Sequence, residues 1–138
     1  MICSVCGGKD FRTGKILFDE LIDAWQLSPD EVAYLDRQQG EYCVTCGANL
    51  RSIILAKAIA SSLGFSQPLR DVAKQFSHNS SFRLLEINEA GALSSTLRMF
   101  SGYSFGAYPE VDMHDLPYPD ATFDLIIHSD TLVFNCNF

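Results

Sequence analysis

Two short segments with the same cysteine spacing constrain this chain most, Cys3-Ser-Val-Cys6-Gly7 and Cys43-Val-Thr-Cys46-Gly47. Two residues between paired cysteines let one tight turn direct both sulfurs at a single ion, and four thiolates suit tetrahedral zinc. The glycine after each pair lets the backbone turn there. We therefore predict a structural Zn²⁺ with no open coordination position, held by Cys3, Cys6, Cys43 and Cys46.

Two disulfides, or a redox dithiol in one pair, are the alternatives for these cysteines. The doubled spacing favours shared ligation of one ion, and thiols in ligand spacing favour a reducing compartment, so we expect a cytoplasmic protein. The start, Met1-Ile2-Cys3, shows no basic segment before an apolar stretch, and we expect no secretion signal. No apolar run approaches membrane-spanning length, so we expect no membrane partner. We expect the fifth cysteine, Cys136, to be an unpaired thiol.

The net charge of −7 is distributed unevenly, with −4 over residues 1–50, +3 over 51–80 and −6 over 81–138. An acidic chain lacks the long-range attraction that brings a protein to nucleic acid, so we expect no nucleic-acid partner. The basic stretch is interpreted as the solvated face of a helix. Salt-sensitive binding to RNA would revive the nucleic-acid alternative.

The residues between the two cysteine pairs have helical patterns. Apolar residues from Leu17 to Trp25 recur at helical spacing, and we expect Trp25 to pack in the core around the metal site. Ser28-Pro29-Asp30-Glu31 is a capping box with proline at the first helical position, which predicts a helix that ends near Gly40.

Further helices are predicted after the second cysteine pair. A stripe that includes Ile53, Ile54 and Ala58 predicts a helix over residues 49–63, ended by Gly64, and a weaker pattern covers 68–76. We place a domain boundary near the polar segment 78–81.

From residue 82 the pattern becomes that of an α/β unit. Residues 82–87 and 123–128 are short apolar runs typical of buried parallel strands, and 103–105 is a third strand candidate. A small-residue turn at 88–91 and a helix containing Leu93 and Leu97 lie between the strand at 82–87 and the strand candidate at 103–105. This order of elements predicts a parallel sheet with right-handed crossovers.

Two segments of this unit resemble class I S-adenosylmethionine-dependent methyltransferases. Leu84-Leu85-Glu86-Ile87 with its following turn is similar to their first motif, and residues 112–127 resemble their acidic loop, Leu-Pro-aromatic-Pro-Asp stretch and Phe-Asp strand. The similarity is greatest to the small enzymes often called type 11. It implies S-adenosylmethionine as cofactor and a small-molecule or glycan-like methyl acceptor.

The resemblance also implies roles for particular residues. Glu86 would help to orient the methionine part of the cofactor, and the turn containing Asn88 and Gly91 would receive its carboxylate. Asp112 would accept a hydrogen bond from the adenine amino group, with Met113 packed beside the ring. Ser129, with His128, would lie near the methionyl group and the substrate. No catalytic acid or base is implied.

The chain departs from the family pattern at several positions. Asn88, Ala90 and Ala92 stand where glycines are usual, and Glu89 adds negative charge near the expected cofactor carboxylate. The acidic residue that binds the ribose hydroxyls in the family, at the end of its second strand, has no clear counterpart here, and Glu110 is the nearest candidate. These departures favour an alternative function, a non-enzymatic zinc module that binds another protein and carries a degenerate methyltransferase-like tail.

We therefore predict an α/β chain in two parts. Residues 1–78 would form a zinc-ribbon-like module with a helical insert and a linking helix, and residues 79–138 a partial Rossmann-like methyltransferase core. The family continues with further strands and helices beyond this length, so we expect a fragment of a longer, SAM-dependent enzyme. The alternative is a self-associating half-domain, in which the unpaired strand over 123–128 is an exposed edge through which homo-oligomers form.

Overall fold

The computed structural model describes residues 1–129. The chain divides into two compact units, one over Met1–Leu69 and a second that begins at Arg70. The division falls at the first residue of a helix, whereas the domain boundary predicted from sequence lies after that helix. Within the described part of the chain, no helix is long and apolar enough to cross a membrane.

The first unit is a two-stranded ribbon with two helices inserted between its strands. The strands are antiparallel, with Phe11 opposite Cys43 and Thr13 opposite Glu41. Since each cysteine pair lies next to one strand, the ribbon brings the two pairs together. The elements are β1 (Phe11–Thr13), α1 (Asp19–Trp25), α2 (Pro29–Gly40), β2 (Glu41–Cys43), α3 (Leu50–Ser62) and the start of α4 (Leu69–Phe76).

Helix α2 begins and ends as its sequence predicts. The Ser28 hydroxyl accepts from the Glu31 N–H, and the Glu31 carboxyl accepts from the Ser28 N–H at 2.8 Å, which is the capping box. The helix ends at Gly40, whose carbonyl accepts a 2.9 Å hydrogen bond from the Gly14 N–H. A Cβ on Gly40 would lie 2.0 Å from the Gly14 carbonyl oxygen, so only glycine fits where the two segments meet.

Helix α3 is also confirmed, but its buried face differs from the predicted stripe. The Asn49 side chain accepts from the Ser52 N–H at 3.0 Å, and Gly64, at φ +83°, ends the helix in a Schellman turn. Ile54, a member of the predicted stripe, is 68% exposed. The buried residues of α3 are Ser52, Ile53, Ala56, Ile59 and Ala60.

The prediction that Trp25 packs in the core is wrong. No residue of α1 is buried, and Trp25 is 61% exposed. The Asp36 carboxyl accepts the N–H groups of Ile16 and Leu17 at 2.8 and 3.0 Å, which ties the chain to α2 just before α1 begins. Leu17 is buried, Leu21 and Ile22 are partly buried, and Phe18 and Trp25 are exposed.

The second unit contains a three-stranded parallel sheet, as predicted. The strands β3 (Leu84–Ile87), β4 (Tyr103–Gly106) and β5 (Leu125–His128) have the spatial order β4-β3-β5. A 3₁₀ turn at Gly91–Leu93 leads into the short helix α5 (Ser94–Leu97) between β3 and β4. The fold is thus a mixture of helices and small sheets, and the larger Rossmann-like core stays a prediction.

Two apolar groups pack within the second unit. Phe76, Phe82 and Phe100 form an aromatic group with ring centroids 4.9 to 6.1 Å apart. A second group surrounds Leu85 and Ile87, and its other members are Val111, Met113, Leu116, Tyr118 and Phe123. Over the residues that the structure describes, β5 pairs only with β3, which leaves it at an edge of the sheet. Self-association through this edge stays a prediction.

Candidate functional site

The four cysteines form one compact sulfur group in the first unit. Their Sγ atoms all lie within 4.8 Å of one another, a group that can hold a metal ion. The Cys3 and Cys46 sulfurs are 3.6 Å apart, and the Cys6 and Cys43 sulfurs are 3.7 Å apart. All four are free, so neither of these pairs is a disulfide. The close contacts cross between the two segments, as expected when both share one ion.

The backbones of the two segments repeat each other. The Gly7 N–H donates to the Cys3 carbonyl at 2.8 Å, and the Gly47 N–H donates to the Cys43 carbonyl at the same distance. Gly7 and Gly47 have φ of +79° and +73°, a region that L side chains rarely adopt. The Gly8 N–H donates to the Cys6 sulfur at 3.4 Å, a contact that stabilises negative charge on the sulfur. Both segments are therefore shaped to present thiolates.

The thiols differ in acidity. Burial raises the pKa of Cys43, but hydrogen bonds from the backbone N–H groups of Cys46 and Thr45 outweigh it, and the pKa falls to about 7. Burial raises the pKa of Cys46 and of Cys3. Since neighbouring thiolates repel one another, four sulfurs at these distances ionise together only around a cation.

A substitution at Gly8 is expected to disturb this group. A Cβ at Gly8 would lie 2.8 Å from the Thr45 Oγ1 and 3.0 Å from the Cys43 sulfur. We expect Gly8→Ala to lower the free energy of unfolding by about 1–3 kcal/mol through overpacking, and to weaken metal binding. Thermal unfolding and a cobalt titration followed by absorbance would measure both. Gly14→Ala is the matched control, because its Cβ would meet only the Gly40 oxygen, at 3.9 Å; equal effects of the two variants would contradict the prediction.

The cofactor residues predicted from sequence lie in the second unit, several of them at one edge of its sheet. Ile87 pairs with Gly106 on one side and His128 on the other, so the carboxyl ends of all three strands meet there. Asn88 directly follows β3, and Ser129 directly follows β5. Asn88 and Gly91 have φ of 51° and 60°, the left-handed conformation expected of this turn.

Glu86 is fully buried, and its carboxyl group is held by residues of its own unit. One oxygen accepts from the Ala90 N–H at 2.8 Å and from the Ser94 hydroxyl at 2.5 Å. The other oxygen accepts from the Tyr103 hydroxyl at 2.6 Å. Burial and the neighbouring Glu86 raise the pKa of Tyr103, which keeps the hydroxyl protonated as a donor. The first role of Glu86 is therefore to fix the turn that follows β3.

Asp112 and Met113 lie in the loop after β4. The Asp112 carboxyl accepts from the His114 N–H at 2.9 Å and contacts the His114 ring at the same distance. These bonds lower the pKa of Asp112, so its carboxylate is available as an acceptor. Met113 packs against the apolar group around Leu85, and it also lines a cleft formed by the loop up to residue 126.

Sequence reasoning missed two residues of this region, Ser94 and Tyr103, which hold Glu86. Tyr103 had a signal as an aromatic residue in a strand, but its partner depends on strand order. The Nδ1 atom of His128 is buried without a hydrogen-bond partner among the residues described, at the carboxyl end of β5. A polar atom in that state marks the strand end as a place where a ligand could bond.

Comparisons with protein-family models, with curated proteins and with solved structures find no match to this chain. The function is therefore inferred from the residues and their geometry. The likeness to methyltransferases depends on residues 84–87 and 112–127 and stays a prediction.

Proposed function

We propose that the first unit binds one structural Zn²⁺ through Cys3, Cys6, Cys43 and Cys46. A tetrahedron with zinc–sulfur bonds of about 2.3 Å has sulfurs about 3.8 Å apart. The cross-segment sulfur distances of 3.6 and 3.7 Å approach that value, and this observation supports zinc most directly. The ion would join segments that are 40 residues apart in sequence. Four protein ligands would leave no position for substrate, so its contribution is to stability.

We further propose that the protein is an S-adenosylmethionine-dependent methyltransferase, with its cofactor at the carboxyl edge of the second unit's sheet. The observation that supports this is the central parallel strand β3 followed by a turn with Asn88 and Gly91 in the left-handed conformation. Ligands of open parallel sheets bind beyond the carboxyl ends of the strands, where loops from neighbouring strands diverge. Here β3 lies between β4 and β5, so the chain passes from β3 to the strand on one side of it and then to the strand on the other.

In this proposal the chain's own residues mainly position the reactants. The turn from Asn88 to Gly91 would receive the cofactor carboxylate, Asp112 would accept from the adenine amino group, and Met113 would pack beside the ring. Ser129, at the end of β5, would face the methionyl group. A methyl on a positive sulfonium needs alignment with the acceptor more than proton transfer, so the acceptor, a small molecule or glycan, is brought in line by binding.

Calorimetry with S-adenosylhomocysteine tests the cofactor proposal on the whole chain. We expect measurable binding, and we expect Asp112→Ala to weaken it about tenfold, the effect of one lost hydrogen bond to a charged acceptor. Asp120→Ala is the matched control, an exposed acid in the same loop. No heat at millimolar ligand, from a chain with its full metal content, would exclude the methyltransferase proposal.

A second candidate function is a zinc module that binds another protein, without methyl transfer. Two observations favour it. Both carboxyl oxygens of Glu86 are engaged within the unit, and Glu89 adds charge to the turn that would receive a carboxylate. Large apolar side chains are also exposed on the helical insert of the first unit. A chain that fails to bind S-adenosylhomocysteine but binds a protein segment would support this candidate.

A further inference from the structure

The helical insert exposes a row of large apolar side chains. Phe18 directly precedes α1, and Ile22 and Trp25 follow it on the helix at helical spacing in the sequence; Phe18 and Trp25 are 56% and 61% exposed. Scattered exposed apolar residues are ordinary, but α1 has no buried residue at all. Leu21 and Ile22 are only partly buried, and Phe18 and Trp25 on either side of them are left in solvent. An exposed apolar face of this kind is typical of an interaction site.

The start of α2 extends this apolar region. The Leu27 N–H donates to the Ile22 carbonyl at 3.0 Å, which folds the connection back on the last turn of α1. Beside it, Leu27, Tyr34 and Leu35 line a cleft, and Tyr34 is 65% exposed. We call the whole region the insert surface, made of Phe18, Ile22, Trp25, Leu27, Tyr34 and Leu35.

The segment that carries the insert surface has charge of one sign, with one basic residue on each side of it, Lys15 and Arg37. Residues 16–36 contain six acidic side chains and neither lysine nor arginine. Asp19 pairs with Lys15 at 2.9 Å, and Asp36 is occupied by backbone N–H groups. Glu20, Asp23 and Asp30 form no ion pair with any residue in 1–129. Asp30 lies on the wall of the cleft itself.

We propose that the insert surface docks a basic amphipathic helix from another protein. An apolar face between acids is complementary to a helix that carries leucine-like side chains between lysines or arginines. Nucleic acid and anionic lipid are repelled by the same acids. The inference gives a partner class to the second candidate function and is compatible with the first. It rests on the first unit alone, so failure of S-adenosylhomocysteine binding would leave it standing.

Trp25 provides a direct measurement, because it is the one tryptophan in the chain and belongs to the insert surface. The probes are two synthetic helical peptides with the same leucine spacing, one with lysine and one with glutamate at the polar positions. We expect the lysine peptide to shift Trp25 emission to shorter wavelength, with saturation, and to bind at least tenfold more weakly at high salt. We expect no shift with the glutamate peptide.

Variants locate the binding. Phe18→Ser combined with Tyr34→Ser should weaken binding of the lysine peptide at least tenfold, since each removes an exposed apolar contact. Ile54→Ser is the matched control, because Ile54 is 68% exposed on α3. Metal content and circular dichroism would verify that each variant is folded.

Five results would each overturn the proposal. Equal binding of both peptides would remove the charge argument. Unchanged binding by the double variant, or loss of binding by Ile54→Ser alone, would put the site elsewhere. Concentration-dependent burial of Trp25 without peptide would make a second copy of this chain the occupant; absence of any emission shift would show that no such helix docks.

Discussion

Replacing Cys43 with serine is expected to abolish stoichiometric zinc binding and to unfold the first unit. The Cys43 side chain is fully buried, and its sulfur lies 3.7 Å from that of Cys6. Binding of structural zinc in small cysteine modules contributes about 10–16 kcal/mol, whereas whole domains are stable by about 5–15 kcal/mol. Loss of the ion therefore removes a free energy as large as the whole free energy of unfolding expected for the unit.

The secondary structure of the first unit explains why loss of the ion would unfold the ribbon and the helical insert as well as the metal site. Strands β1 and β2 have three residues each, and a two-stranded ribbon is marginal in water without further support. The two segments that carry the cysteines are separated by the whole helical insert. With the ion absent, few contacts would hold the ribbon closed, and the insert would lose its anchor.

Elemental analysis of the purified chain should find about one zinc per molecule in the natural sequence and none in Cys43→Ser. Far-ultraviolet circular dichroism should show a corresponding loss of helix, reproduced by a strong chelator on the natural sequence. Cys136→Ser is the matched control, since Cys136 belongs to neither of the two spaced cysteine pairs and lies beyond the described residues. Native protein without stoichiometric metal, in which all four cysteines alkylate freely, would contradict the proposal.

Local signals in the sequence predicted most of the elements. The capping box at Ser28 and the stop at Gly64 are each settled by a few neighbouring residues, and the structure confirms both. The strand predicted over 82–87 is observed at Leu84–Ile87 for the same reason, a short apolar run between turn residues. The cysteine group was predictable because ligand type and spacing together leave few other arrangements.

The sequence could not predict which helix faces and strand side chains are covered by other elements of the fold. Helical spacing shows that Phe18 and Trp25 share a face, but not whether another element packs on it. On α3, Ile53 and Ile54 belong to the same predicted stripe, yet Ile53 is buried and Ile54 is exposed. Tyr103 became a partner of Glu86 only through the pairing of β4 with β3, a contact between residues that are 17 apart in sequence.

The second large effect is expected from Glu86→Leu in the second unit. Leucine fills similar space but accepts no hydrogen bond, so the N–H of Ala90, which is 1% exposed, loses its side-chain acceptor. The hydroxyls of Ser94 and Tyr103 are partly exposed and can turn to water. An unsatisfied buried donor costs about 1–3 kcal/mol, and with the two weakened hydroxyl bonds we expect a total loss of about 2–4 kcal/mol.

Hydrogen exchange followed by mass spectrometry would locate this effect, because it reports on the amides of β3 and the turn after it separately from the first unit. Glu86→Leu should accelerate exchange in residues 84–93, whereas Glu89→Leu, an exposed acid three positions on, should not. The exchange rate in Glu86→Gln should lie between the rates in the two leucine variants, since its amide oxygen can still accept from the Ala90 N–H. Identical protection in Glu86→Leu and the natural sequence would show that the turn is held by other contacts.

The same variants separate the structural role of Glu86 from a role toward the proposed cofactor. If Glu86 acts only by fixing the turn, each variant should lose S-adenosylhomocysteine affinity in proportion to its loss of protection from hydrogen exchange. Glu86→Gln would then bind almost normally. A residue that also contacts the cofactor should lose affinity in Glu86→Gln while the turn stays protected. Because both carboxyl oxygens are already bonded within the unit, we expect the first pattern, with Glu86 as a positioning residue.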